Sequence, residues 1–312
     1  MWTATDVVAG VLRRSYENGG IVTKLASGMV EGQEVALCVT EQGLVRVDQL
    51  AARYGRANGE AWTVGRILAQ GQLERVQEWQ DRAQSEGMEV VEPAEMLAPV
   101  TYPGKIICVG LNYRPHVTES AFDMPTHPVL FNKYVNAVVG PDAVVRAPLD
   151  STEFDYEAEL VLVMGRVCHQ VSESQALDYV AGYCNGNDLS ARDLQFRTSQ
   201  WLLGKAGDGM GPMGPYLVTR DDVPDPDQLE IIGKRNGEVV QHSNTREMIF
   251  SCRYLISYIS RYITLEPGDV IFTGTPEGVI LGQPTETRRW LQPGEVVSVQ
   301  ITGLGELETR IG

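Results

Sequence analysis

Apolar residues over the last two thirds of the chain fall into short runs separated by glycine- and proline-rich turns. These runs have the length and the β-branched content of strands. They lie at 105–110, 129–131, 143–145, 270–272 and 294–301. An Asn-Gly pair at 236–237 predicts a hairpin. A helical stripe of apolar positions covers 251–262, and a shorter helix is predicted around 174–180. Many short strands with few helices predict a rolled or barrel-like β core.

The first third of the chain has a mixed pattern. Strand-like runs at 21–25 and 34–39 precede a helix start at Asp48, which is a typical N-cap residue, and a longer helical pattern covers 64–85. Prolines cluster at 99–103 and disfavour helix, so a domain boundary is placed there. The predicted fold class is therefore α+β, mostly β. A small α/β domain occupies 1–98 and a β-rich domain occupies 99–312.

The predicted strand 154–164 carries two glutamates on one face. Because side chains alternate along a strand, Glu157 and Glu159 point the same way as Val161 and Val163, which enter the core. Two neighbouring carboxylates at the mouth of a buried strand repel each other and lose hydration. A hard divalent cation relieves both costs, since carboxylate oxygens suit Mg²⁺, Mn²⁺ or Ca²⁺. Taken alone, the pair is more often a solvated strand end.

Further candidate residues gain weight only in combination. Asp188, at a turn after an apolar run, offers a third carboxylate. His116 and Glu119 are three residues apart on a predicted helix start, where a carboxylate fixes the tautomer of an imidazole and raises its basicity. Lys205 and Arg192 offer positive charge. Each feature alone is commoner as a turn former, a helix surface pair or a solvated charge.

Composition excludes several classes of function. The formal net charge of −15 argues against binding to nucleic acid or to an anionic membrane surface. An anionic substrate then requires positive charge supplied locally at the site. No apolar run reaches membrane-spanning length, and the N-terminus lacks the pattern of a signal peptide. The five cysteines are scattered without metal-binding spacing, which predicts reduced thiols and a cytoplasmic location.

Together these motifs resemble the fumarylacetoacetate hydrolase family. The resemblance runs from about residue 105 to the C-terminus and rests on several motifs in a fixed order. They are Gly-Leu-Asn-Tyr at 110–113, Asp-Tyr-Glu-Ala-Glu at 155–159, Asn-Asp-Leu-Ser-Ala-Arg-Asp-Leu-Gln at 187–195, Pro-Met-Gly-Pro at 212–215 and Thr-Gly-Thr-Pro-Glu-Gly-Val at 273–279. Ala206, Ile280 and the glycine-rich stretch 209–211 depart from the family pattern. These departures bear on the shape of the substrate more than on the metal.

The resemblance implies a mixed β-sandwich roll for the C-terminal domain and a homodimer. It also implies three separate roles for the site residues. Glu157, Glu159 and Asp188 are expected to hold Mg²⁺ or Mn²⁺. His116, Glu119 and Lys205 are expected to be catalytic, and Arg192, Gln195 and Thr275 are expected to bind substrate. The segment 114–125 is expected to be mobile and to close over a bound substrate.

The substrates that the resemblance implies are 2-oxo acids, including β-diketo acids. Such an acid chelates a metal through its carboxylate and ketone oxygens, and the cation stabilises an enolate at the neighbouring carbon. The predicted reaction is C–C bond hydrolysis of an acylpyruvate-type substrate or oxaloacetate-type decarboxylation. Two alternatives stay open. One is isomerisation or hydration of unsaturated 2-oxo diacids in aromatic catabolism. The other is a non-catalytic protein that binds a metabolite or a partner.

Overall fold

Strands make up most of the regular structure. The computed structural model of the protein describes residues 22–55, 61–119 and 123–312, with only the backbone given at residues 84 and 85. The first elements are β1 (Lys24–Val30), β2 (Gln33–Thr40), β3 (Gly43–Arg46), α1 (Val47–Tyr54), α2 (Val64–Ala69), α3 (Leu73–Glu86) and β4 (Glu95–Leu97).

The β-rich part of the chain carries the remaining elements. Its helices are α4 (Arg114–Glu119), α5 (Arg192–Gln195), α6 (Leu202–Lys205) and α7 (Cys252–Ser260). Its strands up to the middle of the chain are β5 (Ile106–Gly110), β6 (Val129–Lys133), β7 (Val138–Val139), β8 (Val144–Val145), β9 (Phe154–Asp155), β10 (Ala158–Met164), β11 (Val180–Asn187) and β12 (Ser190–Ala191). The later strands are β13 (Gly211–Thr219), β14 (Glu230–Arg235), β15 (Glu238–Asn244), β16 (Val270–Phe272), β17 (Val296–Ile301) and β18 (Gly305–Ile311).

Two mixed sheets organise the described residues. The larger has the order β3-β2-β1-β13-β11-β10-β16-β5-β6, with β4 added to β1 and β7 to β13. The smaller has the order β15-β14-β17-β18-β8, and β9 pairs separately with β12. This arrangement confirms the predicted fold class, mostly β with some helix. The Asn236-Gly237 hairpin is also confirmed, since both residues have positive φ angles, 52° and 84°, and join β14 to β15.

The central strand β10 is buried on both faces. Leu160 and Leu162 pack with the smaller sheet and with α7, while Val161 and Val163 pack with the N-terminal helices α1 to α3. A strand covered on both faces reads as a continuous apolar run, as this one does. The two cores hold β10 rigidly, and its N-terminal end carries the candidate site.

The N-terminal strands extend the larger sheet, because β1 pairs with β13 in antiparallel register, Leu25 opposite Leu217. The division into domains at 98/99 stays a prediction. Residue 21, where the first strand was expected to start, lies outside the described residues. The five cysteines are free and buried. Among the helices of the described ranges, none combines the length and the apolar character needed to cross a membrane.

Three local expectations were wrong. The helix predicted over 64–85 is two helices, because the chain turns between them at Gly71, whose φ of +62° favours glycine. Asp48 is not the N-cap of α1. Arg46 occupies that position, and Asp48 in the first turn makes an ion pair with it at 2.6 Å. The helix expected around 174–180 is a single 3₁₀ turn, Ala176–Tyr179, because Val180 already begins β11.

The strand predicted over 154–164 is interrupted. Residues 156 and 157 separate β9, which pairs with β12, from β10, which pairs with β11. The interruption is stabilised by a hydrogen bond of 3.0 Å from the Glu157 N–H to Asn187 Oδ1 and by one of 2.9 Å from the Asp188 N–H to the Glu157 carbonyl. Glu157 is therefore held by backbone contacts on both sides.

Candidate active site

Three buried carboxylates meet where β10 begins and β11 ends. The register of these strands places Ala158 opposite Asn187, so Glu157, Glu159 and Asp188 become neighbours although Asp188 is about thirty residues away in sequence. Each of the three offers an oxygen within 4.8 Å of the others. Their exposed fractions are 6%, 1% and 0%. The alternative of a solvated strand end is therefore wrong for this pair of glutamates.

Two lysines contact the carboxylate cluster. Lys205 Nζ lies 2.8 Å from Glu157 Oε2 and 2.9 Å from Asp188 Oδ2. Lys133 Nζ lies 2.6 Å from Asp188 Oδ1 and also donates to the carbonyl oxygens of Leu189 and Lys205. The sequence analysis missed Lys133, because a single lysine at the end of an apolar strand resembles an ordinary strand terminus.

Asp155 holds Arg192 in place beside the cluster. From the sequence, Asp155 was noted only as part of the motif at 155–159. Its Nε donates to Asp155 Oδ2 at 2.9 Å, its Nη2 lies 2.7 Å from Glu157 Oε1, and its Nη1 donates to Gln195 Oε1 at 3.0 Å. Asp155 also accepts the N–H groups of Ile280 and Leu281 at 2.9 and 3.0 Å. The guanidinium is thus fixed beside the cluster.

The pKa values of Glu157 and Glu159 are shifted in opposite directions. Burial raises the pKa of Glu159 well above its usual value, and the nearby carboxylates of Asp188 and Glu157 raise it further. Burial also acts to raise the pKa of Glu157, but Lys205 and Arg192 outweigh it and hold that pKa far below the usual range. Among the residues that the structure describes, Glu159 is thus the carboxylate of the cluster for which no ion pair is found.

The donor set fits a hard divalent cation. Glu159 Oε2 accepts the Gly274 N–H at 2.8 Å, and among the described residues no hydrogen bond to Glu159 Oε1 is present. Asp188 Oδ1 contacts Lys133 as an ion pair but accepts no hydrogen bond of normal geometry. Three convergent carboxylates, two of which keep an oxygen without a hydrogen bond, suit an octahedral oxygen site that water or substrate completes. Positive charge there would offset the repulsion that raises the pKa of Glu159.

An imidazole–carboxylate pair lies beside the cluster. His116 Nδ1 is 3.0 Å from Glu119 Oε1, and the Glu119 carboxylate accepts the Gly278 N–H with 3.1 and 3.0 Å to its two oxygens. His116 is 6% exposed. Since Nδ1 is engaged by Glu119, Nε2 is the nitrogen left for a substrate. Residues 120–122 of the segment expected to be mobile lie outside the described residues, and its mobility stays a prediction.

These groups share one small cavity with a polar wall and an apolar wall. The polar wall consists of His116, Glu157, Arg192, Gln195, Lys205 and Thr275. The apolar wall includes Val109, Phe196, Trp201 and Leu281. Trp201 packs edge-on against Phe131 with 5.4 Å between ring centroids, and it leaves no room for a Cβ atom at Gly110. Three predicted site residues do not line the cavity: Glu119 contacts His116, Asp188 contacts Lys205, and Glu159 has an oxygen within 4.8 Å of those of Glu157 and Asp188.

Thr275 is held by a residue of the smaller sheet. Gln241, in β15, donates from Nε2 to Thr275 Oγ1 at 2.9 Å and accepts the Ala158 N–H at 2.9 Å through Oε1. Sequence reasoning missed Gln241, because one glutamine in a hairpin strand carries no signal of its own. The structure thus brings the nine predicted site residues together and adds Lys133, Asp155 and Gln241.

The chain is similar to known proteins over most of its length. The family model described as fumarylacetoacetate (FAA) hydrolase C-terminal matches residues 105–312. A protein of Xenopus laevis named oxaloacetate tautomerase fahd2, mitochondrial, is 44% identical over 218 residues, which cover 69% of this chain and 68% of that protein.

Solved structures show the same fold. A fumarylacetoacetate hydrolase from Exiguobacterium antarcticum has a TM-score of 0.74 and 30% identity, and the match covers 93% of this chain and 99% of that one. A fumarylpyruvate hydrolase from Pseudomonas aeruginosa, in complex with Mn²⁺ and pyruvate, has a TM-score of 0.62 and 33% identity, with 72% and 93% covered.

The fold and the constellation of side chains define an enzyme class whose members include hydrolases and a tautomerase. The chain belongs to the fumarylacetoacetate hydrolase family. The name of the Xenopus relative places that protein in the mitochondrion. The cytoplasmic location and the homodimer expected for this chain stay predictions.

Proposed function

We propose that this protein is an enzyme dependent on Mg²⁺ or Mn²⁺ that interconverts the keto and enol forms of a short 2-oxo dicarboxylic acid of the oxaloacetate type. The observation that carries the proposal is the His116–Glu119 pair at 3.0 Å, facing the same small cavity as Glu157, Lys205 and Thr275. A basic imidazole beside a carboxylate cluster is suited to moving a proton at the carbon next to a ketone.

Glu157, Glu159 and Asp188 would hold the cation, and the cationic side chains would hold the substrate. When bound, the divalent ion supplies a Lewis acid that polarises the ketone and stabilises enolate charge. Arg192 and Lys205 place positive charge on the cavity wall, where the substrate carboxylates require it in a chain of net charge −15.

His116 would carry the proton. With Nδ1 engaged by Glu119, Nε2 takes a proton from the substrate carbon, and the resulting imidazolium is stabilised by the neighbouring carboxylate. The imidazolium then gives this proton to the substrate oxygen, which completes the enol and returns His116 to its neutral form, so no atom is gained or lost overall. Gly278 fixes Glu119 through its N–H group and thereby keeps the ring oriented.

The size of the cavity favours a small acid. The space between its walls is about 370 Å³, part of it open to solvent. Trp201 and Phe196 close the apolar side. A four-carbon acid fits this shape better than an acylpyruvate with a long acyl group. The tautomerase named among the relatives supports the same choice.

A second candidate is C–C hydrolysis of a small acylpyruvate. The structural similarity to a fumarylpyruvate hydrolase in complex with Mn²⁺ and pyruvate favours it. In that reaction His116 would remove a proton from a water molecule that attacks the distal carbonyl, and Lys205 would stabilise the developing charge. Decarboxylation of oxaloacetate uses the same constellation without water.

The test is a panel of 2-oxo acids followed by loss of enol absorbance, with Mn²⁺, with Mg²⁺ and with EDTA. Pyruvate assayed on the same samples separates tautomerisation, which forms none, from decarboxylation and acylpyruvate hydrolysis. His116→Ala should lose about 10²–10⁴-fold in kcat with unchanged Mn²⁺ affinity. His169→Ala, at an exposed position, is the matched control. No turnover of any panel member, or full kcat in His116→Ala, would exclude the proposal.

A further inference from the structure

The side-chain amide of Gln241 forms hydrogen bonds to two backbone segments of the site, at residue 158 and at residues 276–277. Gln241 is 1% exposed and lies in β15, behind the cavity wall. Its Oε1 accepts the N–H of Ala158, the residue between the two glutamates, at 2.9 Å. Its Nε2 donates to the Pro276 carbonyl at 2.9 Å and to the Glu277 carbonyl at 3.3 Å.

The backbone partners of Gln241 determine which atom of its amide is the oxygen and which is the nitrogen. Oxygen and nitrogen of an amide side chain are assigned from the hydrogen-bond network. Here an N–H group requires the oxygen on one side, and two carbonyl groups require the nitrogen on the other. That nitrogen has two hydrogens, and the two short contacts, 2.9 Å to Thr275 Oγ1 and 2.9 Å to the Pro276 carbonyl, use them, while the Glu277 carbonyl at 3.3 Å shares one. The Gln241 amide is therefore the donor, and Thr275 Oγ1 is the acceptor.

The direction of this hydrogen bond decides whether the Thr275 hydroxyl can donate its hydrogen to a ligand. A hydroxyl has one donor hydrogen besides its acceptor lone pairs. Within the described parts of the chain, the bond from Gln241 is the one hydrogen bond found for the Thr275 hydroxyl, and it uses a lone pair. The hydrogen is therefore free to point into the cavity that Thr275 lines together with Arg192 and Lys205.

We propose that Gln241 is a positioning residue that makes the Thr275 hydroxyl a dedicated hydrogen-bond donor to a substrate carboxylate. This inference rests on the proposed function, in which the ligand is an anionic 2-oxo acid. Gln241 acts through Thr275 and touches no reacting atom. An anion is favoured because an acceptor ligand meets the free hydrogen of the hydroxyl, whereas a ligand that donates competes with Gln241 for the lone pairs of the same oxygen.

Two substitutions at Gln241 test the polarity. In Gln241→Glu the carboxylate still accepts the Ala158 N–H, but it has no hydrogen to give to Thr275, so the Thr275 hydroxyl donates to it and turns away from the ligand. Gln241→Met keeps the shape, adds no charge and releases the hydroxyl to rotate. The first change should therefore weaken anion binding more than the second.

The experiment is a double-mutant cycle with Thr275→Val, which removes the hydroxyl at constant shape. The probe is oxalate, titrated calorimetrically into protein saturated with Mn²⁺. Thr275→Val and Gln241→Glu should each weaken oxalate binding by about 10–100-fold, the range for a hydrogen bond to a charged group. The double variant should be no more than about threefold weaker than Thr275→Val alone. Gln241→Met should be weakened less, about two- to tenfold, with the same dependence on Thr275.

Controls separate this inference from a structural role and from the proposed function. Gln80→Glu changes a fully buried glutamine that donates to the Val39 carbonyl at 2.9 Å, so it should lower Tm and leave oxalate affinity unchanged. Equal losses for Gln241→Glu with and without the Thr275 hydroxyl would overturn the inference. Unchanged oxalate affinity in Thr275→Val would overturn it too, and leave the reaction standing. A wild-type protein that neither binds oxalate nor turns over any 2-oxo acid would remove the proposed function itself.

Discussion

The ammonium group of Lys133 lies 2.6 Å from Asp188 Oδ1, and neither side chain has exposed surface. The same Nζ reaches the carbonyl oxygens of Leu189 and Lys205. Lys133 thus connects β6, the turn after β11 and α6. Without Lys133, Asp188 would keep one cation, Lys205, which it shares with Glu157, so buried negative charge would be left only partly compensated.

Lys133→Met should therefore lower the free energy of unfolding by about 3–5 kcal/mol. Urea denaturation with EDTA present measures this loss without any contribution from bound metal. The matched control is Lys105→Met, at a lysine that is one third exposed and lies 2.8 Å from Asp269. Asp269 keeps two backbone N–H donors, from Lys105 and Glu266, so that loss should be about 1 kcal/mol or less. Equal losses in the two variants would contradict the anchoring role of Lys133.

The sequence predicted those parts of the site that its local pattern encodes. Alternation along one strand put Glu157 and Glu159 on one face, and three-residue spacing put His116 beside Glu119. The helix over 251–262 was also predicted, and it is present as α7 with Ser251 as its N-cap, whose Oγ accepts the Tyr254 N–H at 3.3 Å.

The local sequence pattern could not predict contacts between residues that are far apart along the chain. Lys133 and Gln241 are among several polar residues of their strands and belong to no local motif, and they reach the site only because β6 and β15 fold against distant segments. The register of β10 on β11 likewise decides that Asp188 joins the glutamates. The break at residues 156 and 157 depends on Asn187, thirty residues further along the chain.

Added metal should stabilise the protein through Glu159. A ligand that binds only the folded state at 100 times its Kd adds about 2.7 kcal/mol. Mn²⁺ in that excess should therefore raise Tm of the wild type, while Glu159→Gln, with a neutral side chain in place of a proposed ligand, should lose most of this rise. Differential scanning fluorimetry with and without Mn²⁺ measures both. Glu230→Gln, at an exposed position of β14, is the control and should respond like the wild type. A full response in Glu159→Gln would exclude that residue as a ligand.

Stability should depend on acid pH through Glu295, away from the site. Burial alone would raise the pKa of Glu295, but the Arg235 guanidinium, at 2.8 and 2.7 Å, and the Gln292 N–H outweigh it and lower that pKa. A lowered carboxyl pKa contributes stability above the unfolded value, about 4.3 for glutamate, and this is lost as pH falls through the folded value. Glu295→Gln should thus cost about 1–2 kcal/mol near neutral pH and clearly less near pH ~3.

Urea unfolding at the two pH values checks this difference. Glu238→Gln, at an exposed position in the adjoining hairpin, should differ little from the wild type at either pH. A Glu295→Gln deficit that stays constant between the two conditions would mean that the contact with Arg235 acts through packing and not through charge.

The last prediction concerns the glycine behind the imidazole–carboxylate pair. A Cβ atom at Gly282 would lie 2.5 Å from Glu119 Cδ and under 3 Å from both carboxylate oxygens. Only the far end of one flexible side chain blocks it, so Gly282→Ala should fold and bind Mn²⁺ normally. The Glu119 carboxylate must move, however, and His116 then loses the partner that orients it. We expect kcat to fall by at least about tenfold, toward the loss expected on removing the general base. Gly65→Ala, where a Cβ meets open space within a helix, is the control and should keep full kcat. Unchanged kcat in Gly282→Ala would show that the contact between His116 and Glu119 is not needed for turnover.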